Sequence, residues 1–289
     1  MAKKNIYKPI KFKLNNVVSE TPLIKTFFLS ADEDFEFKTG QFVEVTIDGI
    51  GEAPYTPSSS AYVKDKMELT IMKAGYVTEK MHKLEPGQIL GIRGPFGKGY
   101  PIEKFYDKEV LILGGGVGLA PLRCLILTLL EEAEKFKKIH ICFGAISPEN
   151  FIYKDWFDEL RKHEKVNLLR SVDVANDRWK EREGVVTVLL DDIKSGFEEM
   201  IAVVCGPPIM MKFGAIRLLE KGVKEENMYL SMETNMSCGL GKCGHCMMDG
   251  YYVCKDGPVF TFDEIKGSSE YMEFRDLFEK EVPDGGNDE

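Results

Sequence analysis

Positive charge is in short supply: 38 Lys and Arg stand against 47 Asp and Glu, for a formal net charge of −9. Such a chain has no basic stripe to neutralise a phosphate backbone, which excludes nucleic acid as a partner. Uninterrupted apolar length is lacking too. The one candidate, "VLILGGGVGLAPLRCLILTLL" from Val110 to Leu130, is broken by three consecutive glycines, Pro121 and Arg123. It reads as a buried strand, a glycine turn and a helix, and no membrane span is expected. The opening "MAKKNIYKPIKFKL" has two early lysines but no apolar core and no small-residue cleavage site, so no signal peptide is expected and the cytoplasm is the expected location. Without export, the seven cysteines are not expected to form a disulfide framework, and metal or redox chemistry becomes their default use. Internal repeats and low-complexity linkers are absent, so the units of the chain should pack closely.

What is present is ample core. Hydrophobic residues make up 44% and charged residues 29% of 289 positions, enough for two or three packed units. The first hundred residues read as β: "FKLNNVVSE", "IKTFFLS", "QFVEVTI" and "KMELTIMKA" are separated by Gly, Pro, Asp and Ser turn signals. A helix is expected at "VTEKMHKL", and "EPGQILGIRGPFG" returns to strand, so the whole should be a small antiparallel β-barrel. Apolar strands then alternate with helices: "EVLILGGGVG", "LAPLRCLILTLLEEAEKF", "KIHICFGAIS", "FIYKDWFDELRKH", "VNLLRSVD", a helical stretch near "VVTVLLDDIK", "IAVVCGPP" and "IMMKFGAIRLLEKG". That alternation predicts a doubly wound parallel sheet covered on both faces. "NMYLSMET" supplies a last strand. The expected division is 1–104, 105–232 and 233–289, with a terminal helix or solvated tail at "MEFRDLFEKEVPDG".

Directly after that strand, "MSCGLGKCGHCMMDGYYVCKDG" gathers Cys238, Cys243, Cys246 and Cys254 at C-x4-C-x2-C-x7-C spacing. Thiolates suit zinc or iron–sulfur. Structural zinc sites pair two short knuckles, whereas C-x4-C-x2-C with a separate fourth cysteine is the plant-type 2Fe–2S arrangement. Gly239, Gly241 and Gly244 fit a backbone that curls around a cluster and points N–H groups at sulfur. The lone His245 cannot make a Rieske centre, which needs two histidines. A zinc knuckle and unligated thiols are the alternatives. Cys124 and Cys142 lie in apolar segments and read as core. Cys205 ends a buried strand, where α/β sheets bind ligands, and is either core or functional.

"LILGGGVGLAP" places Gly114, Gly115, Gly116, Val117 and Gly118 between strand and helix, where a pyrophosphate can approach the backbone. It lacks the strict G-x-G-x-x-G pattern, and "RGPFGKG" is no Walker motif.

In this order, a β-barrel, "GGGVGLAPL", "CGPPIMM" and "CGLGKCGHC" resemble the ferredoxin–NADP reductase-like flavoproteins. The likeness runs from about Lys8 to Ile265 and is strongest to electron-transfer subunits of multi-subunit redox enzymes: sulfhydrogenase gamma, anaerobic sulfite reductase B and the iron–sulfur subunit of dihydroorotate dehydrogenase. The resemblance implies FAD, a 2Fe–2S cluster and NAD(H) or NADP(H). The flavin motif R-x-Y-[ST] falls on "APYTPSSS": Tyr55 should stack on the isoalloxazine and Thr56 hydrogen-bond to it, with Pro57 and Ser58 in the same stretch. Ala53 stands where many members have arginine, leaving the FAD pyrophosphate one cation short, with Arg93 as the candidate replacement. Gly75, Val77 and Thr78 match a phosphate-binding helix start. Gly114 to Gly118 and Cys205, Gly206 and Pro207 line the dinucleotide site, with Cys205 near the nicotinamide and Glu233 near the flavin's reactive edge. No arginine follows "HICFGAIS" to receive a 2′-phosphate, and Glu149 suits ribose hydroxyls, which favours NADH; Arg170 and Lys154 are the residues able to reverse that preference.

The chemistry then has an order. Nicotinamide gives two electrons as hydride, a cluster accepts one, and a flavin converts between the two. No second site for a small substrate is visible, so a catalytic redox subunit is the expected partner, in either direction of flow. A free-standing reductase working on a ferredoxin-like carrier is the alternative with the same cofactors. A zinc-stabilised, non-catalytic binding subunit is the alternative of another class.

Overall fold

The structure is a computed structural model and describes residues 5–267. The "MEFRDLFEKEVPDG" segment lies outside the described residues.

Six strands form the first sheet: β1 (Ile10–Thr21), β2 (Ile24–Ser30), β3 (Phe42–Ile47), β4 (Gly51–Tyr55), β5 (Lys66–Met72) and β6 (Ile89–Phe96), in the order β4-β3-β6-β1-β2-β5. All its pairings are antiparallel. Past the end of β4 the Ser58 N–H donates to the Glu68 carbonyl on β5 at 2.8 Å, drawing the two edges together into a barrel. Phe12, Leu14, Phe27, Leu29, Val43, Val45, Leu69 and Ile92 fill the interior. Full burial of each such side chain stabilises by about 1.5–3 kcal/mol. The short helix α1 (Tyr76–Met81) follows β5 and seals the barrel with Met81.

A second sheet follows: β7 (Glu109–Gly115), β8 (Lys138–Ala145), β9 (Val166–Val172), β10 (Arg182–Glu183), β11 (Ile201–Cys205), β12 (Met228–Ser231) and, after a hairpin of β13 (Met247–Met248) and β14 (Tyr251–Tyr252), β15 (Val259–Thr261). Their order is β10-β9-β8-β7-β11-β12-β15, parallel except for β15, which runs antiparallel to β12. Successive side chains point to opposite faces. Val110 and Ile112 of β7, with Ile201, Val203 and Cys205 of β11, join α2 (Leu119–Glu131) and α3 (Trp156–Lys162). Leu111, Leu113, Ala202 and Val204 join α4 (Pro208–Glu220) on the other face.

Two details differ from the sequence reading. "VVTVLLDDIK" forms a 3₁₀ helix, Val186–Asp192, in place of a regular helix: Val186 packs against Gly144 and Val188 against Gly184, which holds the segment tight to the sheet. The sheet also does not end at "NMYLS". The chain leaves it, makes the cysteine loop, and returns as β15, so the loop is anchored at both ends.

Candidate functional site

The chain runs from β7 through β8 and β9 in one direction and from β11 to β12 in the other, so the sheet reverses its winding between β7 and β11. Ligands of open α/β sheets bind at that reversal, beyond the carboxyl ends of the strands. The end of β7 and the turn after it hold Gly114 to Gly118, and the end of β11 and the loop after it hold Cys205, Gly206 and Pro207; Gly114 and Cys205 are directly paired. Gly114 and Gly115 are kept small by Leu122 and by Met210, whose atoms would lie 2.7 Å from an added Cβ. Gly118 is closed off by the backbone of Cys205 and Gly206. Gly116 alone has open space beside it, at a left-handed φ of 57°, followed by the part-buried Val117. Glycine motif and "CGPP" therefore form one surface, and its open point fits a phosphate approaching bare backbone.

Cys205 is buried. Burial pushes its thiol up to about 12, against a hydrogen bond with the Ser231 hydroxyl, and the Glu233 carboxylate adds to the rise. Ser231 also bonds Tyr100, so a hydroxyl that sequence reasoning missed anchors this thiol. Its signal was its place at the end of β12, beside the last residues of β11.

Glu233 is exposed and acts electrostatically on both Cys205 and Tyr55, so its charge is felt on both the barrel side and the parallel-sheet side of the seam. The Tyr55 hydroxyl is buried without a hydrogen-bond partner, and burial plus the charges of Glu44 and Glu233 raises it to about 12. An orphaned buried phenol beside the half-buried Thr56 fits a flavin, whose polar groups complete it.

Other expected ligands are engaged elsewhere. Pro57 and Ser58 are buried, and the Ser58 hydroxyl meets the Glu68 carbonyl and Thr70 hydroxyl, each at 3.2 Å, which ties this stretch into the closure of the barrel. The Thr78 hydroxyl accepts from the N–H groups of Ala74 and Gly75 and donates to the Gly75 carbonyl, so the hydroxyl serves as a helix cap. Val77 packs on the Gly51 turn. Arg93 is committed to Glu52 through two guanidinium nitrogens and reaches the Cys238 carbonyl at 3.4 Å, so it braces the cysteine loop and is not a free cation for a pyrophosphate. Arg170 is likewise paired with Glu181 among Phe151, Phe157 and Trp179, and the Lys154 ammonium donates to the Glu149 carbonyl.

The cysteine loop packs on the barrel. Gly239, at φ 70°, lies against Phe96 and Glu44, and Gly241, at φ 66°, against Lys255; Gly244 is also left-handed. These turns aim N–H groups inward. Leu240 and Lys242 donate to Cys238 Sγ at 3.3 and 3.4 Å, and Gly241 donates to Cys254 Sγ at 3.1 Å. Burial works to raise the Cys238 thiol, but the N–H groups of Leu240, Lys242 and Cys243 prevail and bring it down to about 6. Burial, then the Cys246 thiol, pushes Cys254 up to about 12. Among the described residues no three metal-binding side chains surround a single point. The sulfurs lie as two pairs, Cys238 with Cys243 and Cys246 with Cys254. Two pairs under a canopy of N–H donors fit a binuclear iron–sulfur cluster, each pair suiting one iron. His245 is exposed and bonds Ser237.

Glu44 is the missed residue here. It is 1% exposed, one carboxylate oxygen has no hydrogen-bond partner, and burial, then the Glu52 charge, raises it to about 7 against the pull of Arg93. A lone acid in "QFVEVTI" gives no such signal, because the cover comes from Gly239.

Three family models match along the chain: an oxidoreductase FAD-binding domain over 9–100, an oxidoreductase NAD-binding domain over 112–215, and the iron–sulfur cluster binding domain of dihydroorotate dehydrogenase B over 233–266. Sulfhydrogenase 2 subunit gamma of Pyrococcus furiosus is 36% identical over 268 residues, 86% of this chain and 92% of the relative. A probable dihydroorotate dehydrogenase B (NAD+) electron transfer subunit of Methanocaldococcus jannaschii is 35% identical over 277 residues, 93% of this chain and 95% of the relative. Among solved structures, a chain of an NADH-dependent reduced ferredoxin-NADP oxidoreductase, described for flavin-based electron bifurcation, matches with TM-score 0.73 and 25% identity over 93% of this chain and 97% of that one. A Neisseria gonorrhoeae ferredoxin NADP+ reductase with bound FAD and NADP shares the fold, with TM-score 0.65 and 24% identity over 74% of this chain and 92% of that one. Among the described residues no helix is long and apolar enough to cross a membrane.

Proposed function

The chain belongs to the ferredoxin reductase-like electron-transfer subunits that combine FAD-binding, NAD-binding and iron–sulfur domains, and from that premise we propose that it relays electrons between a nicotinamide dinucleotide and a separate catalytic subunit. The observation that carries this reading is the placement of the cysteine loop. Gly239 rests on the barrel at Glu44, Glu44 acts electrostatically on Tyr55, and Glu233 acts on both Tyr55 and Cys205, so the cysteine loop neighbours the entry point.

When bound, a nicotinamide dinucleotide would supply hydride chemistry, FAD the exchange between two-electron and one-electron transfer, and a 2Fe–2S cluster one-electron transfer. The chain's own residues hold and shield. The surface around Gly116 receives the dinucleotide phosphates, and Gly206 and Pro207 shape its nicotinamide end. Cys205, kept neutral by burial and oriented by Ser231, packs at the hydride-transfer point, with Glu233 beside it. Tyr55 and Thr56 position the flavin. Cys238, Cys243, Cys246 and Cys254 ligate the 2Fe–2S cluster, and the N–H groups of the loop stabilise its negative charge.

We divide the chain into a flavin unit at 1–104, a dinucleotide unit at 105–232 and a cluster segment at 233–289. NADH is the preferred dinucleotide: Glu149 stands beyond β8, Arg170 is already paired, and nearby Ile146 is apolar and exposed. The partner is a redox enzyme subunit, as the names of the Pyrococcus and Methanocaldococcus relatives indicate for those proteins, and the cytoplasm is the location we assign. Cys243, on the exposed rim of the loop, marks the side on which the partner docks.

The test is anaerobic purification from the native cell, with flavin, iron and sulfide quantified and co-eluting chains identified. Stoichiometric flavin, two irons and a large redox subunit are expected. A colourless zinc protein would overturn the reading, and efficient turnover of a free ferredoxin-like carrier by the isolated chain would replace the partner subunit with that carrier.

A further inference from the structure

Glu44 sits where the flavin unit meets the cysteine loop, and nothing in the relay described above uses it. Its Cγ lies 3.4 Å from where a Cβ on Gly239 would stand, and its strand pairs it with Pro54 on one side and Arg93 on the other. Among the described residues it is the one carboxylate in the buried charged set. Its unpartnered oxygen and the unpartnered Tyr55 hydroxyl are within electrostatic reach of each other. Arg93 is held by Glu52 through two nitrogens, so whenever Glu44 is ionised two carboxylates share one guanidinium and a negative charge is left over.

We propose that Glu44 is a tuning residue of the electron path: its buried charge, placed between Tyr55 and the Cys238 loop, sets how an electron divides between flavin and cluster. This rests on the relay reading. The step concerned moves one electron from the reduced flavin, which is oxidised, to the oxidised cluster, which is reduced and gains one negative charge. In this proposal Glu44, whose side chain meets Gly239 next to Cys238, opposes that electron more strongly at the cluster than at the flavin. A water-filled surface would screen such a charge, but here Phe96, Gly239 and the β3 backbone exclude solvent.

The test uses the full-length holoprotein under anaerobic conditions at about pH 8.5, above the range in which burial holds this carboxyl. Glu44→Gln keeps the shape and removes the charge; Asp48→Asn removes an exposed charge from the same hairpin. Each protein is titrated to partial reduction, with the cluster read by EPR and the flavin by absorbance. Glu44→Gln should shift the cluster-to-flavin distribution of electrons about tenfold towards the cluster, while Asp48→Asn stays within about twofold of the parent protein. An unmoved distribution in Glu44→Gln, or equal shifts in both variants, overturns the proposal while leaving the relay intact. A parent protein with no flavin or no cluster overturns both.

Discussion

A methyl group on Gly118 would stand 2.6 Å from the carbonyl oxygen of Cys205, so the loops after β7 and β11 are in backbone contact at the point where the sheet reverses. That contact makes two motifs, far apart in sequence, one binding surface.

Two substitutions should therefore weaken dinucleotide binding by different routes. Gly118→Ala forces the Cys205 loop to move, because backbone and not a flexible side chain blocks the methyl. Gly116→Val meets no neighbour, but the residue holds φ 57°, which costs a β-branched side chain about 1–2 kcal/mol, and the side chain fills the phosphate approach. Each should raise the NADH dissociation constant at least about tenfold, measured by titration of the oxidised holoprotein, with flavin and cluster content unchanged. Unaltered affinity in both would remove the dinucleotide from this loop.

The Cys205 thiol should act through shape and not through ionisation. Burial pushes it up to about 12, so below that pH it stays protonated, and the rate of flavin reduction by NADH should show no titration from this group between about pH 6 and 9. Cys205→Ala should slow that reduction by about 10–100-fold with little change in NADH affinity, because packing at the transfer point is lost while phosphate contacts remain. Stopped-flow traces give both numbers. A large loss of affinity at unchanged rate would make Cys205 a binding residue only.

Ser58 should prove structural. Its hydroxyl meets Glu68 and Thr70 inside the barrel, so Ser58→Ala should cost about 1 kcal/mol of stability in thermal unfolding and leave FAD content unchanged. Loss of FAD without loss of stability would return Ser58 to the cofactor site.

Cys243→Ser should abolish the cluster's EPR signal while leaving NADH-driven flavin reduction within about twofold of the parent rate, because the seam at Tyr55 and Cys205 does not include this exposed cysteine. If flavin reduction disappears in a folded protein, the order of carriers is wrong.

Local chemistry made much of this legible in advance. The β7 run enters a glycine turn, the cysteines have plant-type spacing, and strands alternate with helices, so the parallel sheet and the cluster could be read from short windows. FAD followed only from the order of motifs along the chain. Relationships across the fold were hidden. Arg93 looked like a spare cation because Glu52, its partner, is on a different strand, and Thr78 looked like a phosphate ligand because its use as a cap depends on the turn before it. Glu44 looked like an ordinary strand residue because the loop that buries it comes almost two hundred positions later. Ser231 was invisible because its role depends on Cys205 and Tyr100 meeting it in space.

The most direct test of the relay is rapid anaerobic mixing of the oxidised holoprotein with NADH, following the flavin and cluster absorbance bands separately. Flavin bleaching should come first, with cluster reduction following at a slower rate and vanishing in Cys243→Ser. A cluster that is reduced with no prior change at the flavin, or a flavin that NADH leaves oxidised, would contradict the path from dinucleotide through FAD to iron and sulfur.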